Sequence, residues 1–109
     1  MKFKNKENYL QTKKIWEDIN FIIDCFLLDM IPANKCTLTI ISCLIMLNKQ
    51  NGSCLKEDQY VDKNTTYYKF IENFYLLIGN ETIVNYEKLK IYAKEIYEDM
   101  LKNEEYFIK

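Results

Sequence analysis

No histidine and no arginine occur among the 109 residues, and all fifteen basic side chains are lysines. Without His the chain lacks the group that titrates near neutral pH and most often relays protons or binds metals. Without Arg it lacks the planar fork that grips phosphate and guanine in two-pronged fashion. An enzyme built from this chain would have to run on carboxylates, Tyr and Lys alone, so no catalytic residue, metal or cofactor is expected. Two Gly, one Pro and two Ala are also few. A β-sandwich or barrel needs turn residues about every eight to twelve positions, whereas helices are built with few breakers. A Gly-rich phosphate loop and a G-x-S-x-G elbow are missing too. No apolar run reaches the roughly 18 residues of a membrane-spanning helix. Residues 21–31 are interrupted by Asp24 and Asp29, and 38–47 is too short.

What is present is a strong core-forming set. Apolar residues make up 49% and aromatics 15%, with nine Tyr and six Phe, enough for one domain over 1–109 with ends that fray at 1–6 and 104–109. Net charge is −1, which leaves no electrostatic footprint for non-specific nucleic-acid or membrane binding. The abundance of Lys, Asn, Ile and Tyr resembles proteins of AT-rich genomes and carries no mechanism. Cys25, Cys36, Cys43 and Cys54 lie eleven, seven and eleven positions apart in turn. None of these gaps matches the two-to-four-residue spacing of zinc sites. Asn51, Asn64 and Asn80 open glycosylation sequons, and together with an even cysteine count they suit a disulfide-bonded secreted chain. Lys2, Lys4, Lys6 and Glu7 follow Met1 with no apolar signal core, and three of the cysteines sit in or beside apolar runs. Reduced, buried thiols and a cytoplasmic location are therefore expected, with disulfides as the alternative.

Periodicity predicts an all-α compact bundle of about four helices. The first spans 6–31, its apolar face running through Ile15, Ile19, Ile22, Ile23, Phe26, Leu27 and Met30 and its polar stripe through Lys13, Glu17, Asn20 and Asp24; Pro32 ends it. The second, about 35–50, is expected to start at Asn34, stop at Gly52 and bury Leu38, Ile41, Leu44 and Ile45. Being apolar nearly all round, it is expected to be the most buried element. Thr37 to Ile41 is β-branched and also suits a strand. A short fifth helical turn is placed near 54–61. The third helix, 65–78, is capped by Asn64 and Gly79 and buries Tyr67, Phe70, Ile71, Phe74 and Leu77. The fourth begins between Thr82 and Asn85, runs to about Asn103, and buries Tyr86, Leu89, Ala93, Ile96 and Met100.

The segment 54–75 holds a short polar stretch and then Asp62, Lys63, Asn64, Thr65, Thr66, Tyr67, Tyr68 and Lys69. It resembles the turn and recognition helix of helix-turn-helix regulators. The resemblance implies DNA contacts from Lys63, Asn64, Thr65, Thr66 and Lys69, with Tyr67, Phe70 and Ile71 facing the core. The first helix of that pair is short, and the reading face has no Arg and carries Asp62 and Glu72. The Glu17/Asp18, Glu57/Asp58, Glu98/Asp99 and Glu104/Glu105 pairs are adjacent on helices or loops, so they point apart and read as solvated faces. Asp29 reads as a capping or inter-helix group near Pro32. The Tyr excess crowds the third and fourth helices, and Tyr68, Tyr75 and Tyr92 fall off the core stripes. Tyr offers large contact area at low entropy cost. The expected function is therefore non-enzymatic protein–protein binding through Tyr68, Tyr75 and Tyr92, with another protein or a second copy as partner. Immunity proteins and small inhibitors share this size and this poverty of catalytic groups. Helix-turn-helix DNA binding is the alternative, and a membrane partner is not expected.

Overall fold

The computed structural model describes residues 6–51 and 66–102, and within them every regular element is α-helical. The helices are α1 (Lys6–Leu27), α2 (Ala33–Asn51), α3 (Thr66–Leu77) and α4 (Ile83–Lys102). Among the described residues no helix is long and apolar enough to cross a membrane. The expected short turn at 54–61, the caps Gly52 and Asn64, Cys54, and nearly all of both chain ends lie outside the described residues.

Each helix buries one stripe at alternating steps of three and four. These are Tyr9, Thr12, Trp16, Ile19 and Ile23 on α1; Cys36, Ile40, Cys43 and Leu47 on α2; Tyr67, Phe70, Phe74 and Leu77 on α3; and Tyr86, Leu89, Ala93, Ile96 and Met100 on α4. Such stripes turn each helix toward one shared core. The first helix packs against both α2 and α4, and α3 packs against α4. Residue pairing shows that neighbours run antiparallel: Tyr9 meets Met100, Asn20 meets Ala93, and Phe26 meets Tyr86. Trp16 stands edge-on to Tyr67 and Phe70, at centroid distances of 5.8 and 5.0 Å, and ties α1 to α3 across the core. The Tyr9 hydroxyl donates to the Met100 carbonyl at 2.6 Å, one of the terminal carbonyls of α4 that its own helix leaves unpaired.

Four expectations are corrected. First, α1 ends at Leu27 and does not run to residue 31. Asp29 adopts φ 60, and the Met30 and Asp29 amides donate back to Cys25 and Phe26, the paired bonds of a Schellman cap. Asp29 thus caps α1 through its backbone, and Met30 is left exposed. Second, α2 starts at Ala33, with the Pro32 carbonyl accepting from the Cys36 amide, so Asn34 lies inside the first turn and does not cap it. Third, α2 buries Cys36, Ile40, Cys43 and Leu47, while Leu38, Ile45 and Met46 face solvent, so it is not the most buried element. Along that stripe the Cys36 thiol meets the Ile22 carbonyl of α1. The β-branched run of α2 is accommodated within the helix, where Thr37 and Thr39 turn their hydroxyls onto the Ala33 and Lys35 carbonyls. Fourth, the polar stripe of α1 does not simply face water. Asn20 donates to the Trp16 and Ala93 carbonyls, and Lys90 reaches the Asn20 carbonyl and Asp24, the latter at 3.0 Å.

The sequence-predicted Gly79 terminus holds: α3 closes on Gly79 at φ 88, and Thr82 caps α4 by accepting from the Asn85 amide at 3.1 Å. Nothing lies within 4 Å of where a Gly79 side chain would sit, so Gly79→Ala acts only through the backbone. It is expected to cost about 1 kcal/mol, and Asp29→Gly at the other left-handed position to gain up to about 1 kcal/mol. Urea denaturation of both variants checks this opposition of sign.

Candidate functional site

Little in the described residues is arranged for catalysis. Among them no group of three metal-ligating side chains comes together. Cys25, Cys36 and Cys43 are free thiols and buried. The Cys36 thiol donates weakly to the Ile22 carbonyl at 3.6 Å, and burial pushes its pKa up to about 11. Burial likewise raises the Cys43 thiol. The Tyr86 hydroxyl lies 2.5 Å from Thr37 Oγ1, and burial lifts it well above the ordinary phenol range, the Thr37 hydrogen bond pulling the other way. Neutral thiols enclosed in a core are poor nucleophiles. This cluster is a polar knot linking α2 to α4. A groove of about 620 Å³ runs beside α1, floored by Leu10, Ile15 and Met46. Lys6 and Lys14 share its rim with Glu7 and Asp18, so it favours neither sign of charge.

For the DNA-binding set, Lys63, Asn64 and Thr65 lie outside the described residues. Thr66 opens α3 and donates to the Glu95 carboxylate on α4 at 3.1 Å. Lys69 is exposed, as is Glu72 one turn on. The inward-facing residues of the same stretch behave as expected, with Tyr67 and Phe70 buried and Ile71 packed against the core. In the protein-binding set, Tyr75 is exposed, Tyr68 is half-buried seven residues before it on α3, and Tyr92 leans against the core from α4. The three do not form one ring of exposed aromatics.

A different set of side chains lies toward one end of the bundle. Because α1 and α3 run one way and α2 and α4 the other, the α1–α2 and α3–α4 corners stand at the same end of the bundle. The Phe26–Tyr86 ring contact at 4.9 Å and the Thr37–Tyr86 bond join them there. Leu28 and Met30 occupy the first corner, and Leu76, Ile78, Ile83 and Val84 the second, with Tyr75 beside them. These seven side chains are between 44 and 73% exposed. They are half of the fourteen large apolar residues exposed among the described ones, and single exposed apolar residues are ordinary.

Sequence reasoning singled out Tyr75 and passed over the exposed aliphatic residues of the two corners. The signal was available in part. The α3 stripe of Tyr67, Phe70, Phe74 and Leu77 needs neither Leu76 nor Ile78, and the α4 stripe starts at Tyr86, so Ile83 and Val84 were surplus to the core. Leu28 and Met30 were hidden because the first helix was carried through them. Compared with known proteins, the chain matches no family model, no curated protein and no solved structure.

Proposed function

We propose that this chain is a non-enzymatic protein-binding module whose contact surface is the corner end of the bundle. The observation that carries this reading is the set of apolar side chains at Leu28, Met30, Leu76, Ile78, Ile83 and Val84, held in solvent by two capped turns. Rigid corners present such groups at low entropy cost, because Asp29 and Gly79 fix the backbone before any partner arrives. Apolar anchors clustered on a prepared surface are what protein partners desolvate. The composition, poor in the side chains used for acid–base and phosphate chemistry, supports the same reading.

Recovery of the tagged chain from its own cells, with and without nuclease, tests it. A stoichiometric protein is expected to survive nuclease and to be lost from a Leu76→Lys, Val84→Lys double variant that retains its helical circular dichroism. Retention undiminished by that variant, or recovery with nucleic acid only, would overturn the assignment.

A further inference from the structure

We propose that the outer face of α2 seats a helical segment of another protein whose apolar stripe is flanked by carboxylates. Because Cys36, Ile40, Cys43 and Leu47 turn inward, the residues opposite them turn outward, and Lys35, Leu38, Ser42, Ile45 and Lys49 are all exposed. Their steps are three, four, three and four, so the five share one face by the geometry of the helix itself. Alternating threes and fours are also the seam along which one helix packs against another. The stripe runs for about 21 Å at a rise of about 1.5 Å per residue. Through Met46 it borders the groove floored by Leu10 and Ile15, and a hollow of about 430 Å³ lined by Lys35, Leu38 and Ser42 opens at its start.

Charge selects the occupant. Among the described helices α2 alone carries no carboxylate, and its only charged residues are Lys35 and Lys49. These two cations stand at opposite ends of the stripe, in a chain whose net charge is −1. Lys14, Lys90 and Lys94 each meet a carboxylate of their own chain, whereas Lys35 and Lys49 form no ion pair among the described residues. The helix dipole suits Lys49 in the last turn but disfavours Lys35 in the first, so the helix itself gives no reason for a cation there. Carboxylates at both ends of a partner helix pair with the two lysines around the apolar middle. An anionic membrane fits less well, because Glu7 and Asp18 line the adjoining groove. The face is separate from the corner end, and either assignment stands without the other.

Isothermal titration of the whole chain with two synthetic helical peptides tests the assignment. Both are about 18 residues long, with Leu at three- and four-residue steps and either Glu or Lys at the two ends. The Glu-ended peptide is expected to bind in the micromolar range, about tenfold tighter than the Lys-ended one, and more weakly as salt is raised. Lys35→Glu combined with Lys49→Glu is expected to invert that preference. Leu38→Ser combined with Ile45→Ser is expected to abolish binding of either peptide, and both double variants keep the helical circular dichroism. The Leu76→Lys, Val84→Lys variant is expected to bind as the wild type does, which separates this face from the corner end. No binding of the Glu-ended peptide, equal binding of the two, or a preference untouched by the lysine reversals would overturn the docking face. Tighter association with phosphatidylserine vesicles than with the Glu-ended peptide would overturn it too, and would assign the same lysines to a membrane.

Discussion

Trp16→Ala is expected to remove about 3–5 kcal/mol of folding free energy, a large share of the roughly 5–15 kcal/mol that holds a domain together. Trp16 is fully enclosed, and its indole joins α1 to α3 through edge-on packing against Tyr67 and Phe70. Truncation therefore opens a cavity where three helices converge and deletes two aromatic pairs at once. Trp16→Phe isolates a second effect. The indole Nε1 is buried without a hydrogen-bond partner, and an unpaired buried donor costs about 1–3 kcal/mol. Phe removes that burden while keeping one ring, so relief and residual cavity nearly offset, and a net loss below about 1 kcal/mol is expected. Urea titrations followed by circular dichroism compare the two variants. Equal losses for Ala and Phe would mean that the indole N–H contributes to the core.

Alkali is expected to unfold the protein earlier than its lysine content would suggest. In the unfolded chain a thiol loses its proton near pH 8.5 and a phenol near pH 10. Within the fold, burial holds the Cys36 proton to about pH 11 and holds the Tyr86 proton higher than an ordinary phenol does. Above each unfolded value the unfolded state therefore binds fewer protons than the folded one, and stability falls as pH rises. The slope is up to about 1.4 kcal/mol per pH unit for each group. The contribution is fully present at pH 7, fades first through Cys36 and then through Tyr86, and Cys36 has no more to lose beyond about pH 11. Melting temperatures between pH 7 and 11 should drop progressively from about pH 9. Tyr86→Phe should flatten the steeper part above pH 10, and an unaltered pH profile in that variant would refute the assignment to Tyr86.

Much of the bundle was readable because its buried stripes follow the helical period without interruption. On α4 the steps from Tyr86 to Met100 were all correctly assigned, since Glu87, Lys88, Glu95 and Glu98 left no rival face. On α2 the same logic failed. Ile41, Leu44, Ile45 and Leu38 outweigh Cys36 and Cys43 in hydrophobicity, yet the buried stripe runs through the small thiols, with Ile41 and Leu44 packed at its edge and Leu38 and Ile45 in solvent. Periodicity ranks faces by apolarity, and it is silent on which face fits against a neighbour's shape. The end of α1 was misplaced for another reason. Asp29 terminates the helix by entering a backbone region that is costly for most residues, and no pattern of apolar spacing registers that. The proposed contact end was illegible for a third reason: it depends on two corners, far apart in the chain, standing at the same end of the bundle. Only the order and direction of the helices bring Phe26 and Thr37 onto Tyr86.

The hydrogen bond from Tyr9 to Met100 spans 91 residues, and the packing of α1 against α4 is equally remote in sequence. Two-state chains dominated by such distant pairings close their loops late and fold more slowly than bundles of neighbouring hairpins. During synthesis the α1–α2 hairpin can form as soon as α2 emerges, but the Tyr9–Met100 and Asn20–Ala93 bonds wait until α4 leaves the ribosome. For that interval a strongly apolar helix pair waits in water half-covered. The nascent chain thus has a built-in window of vulnerability to aggregation, and it closes only when the last helix supplies the other half of the core.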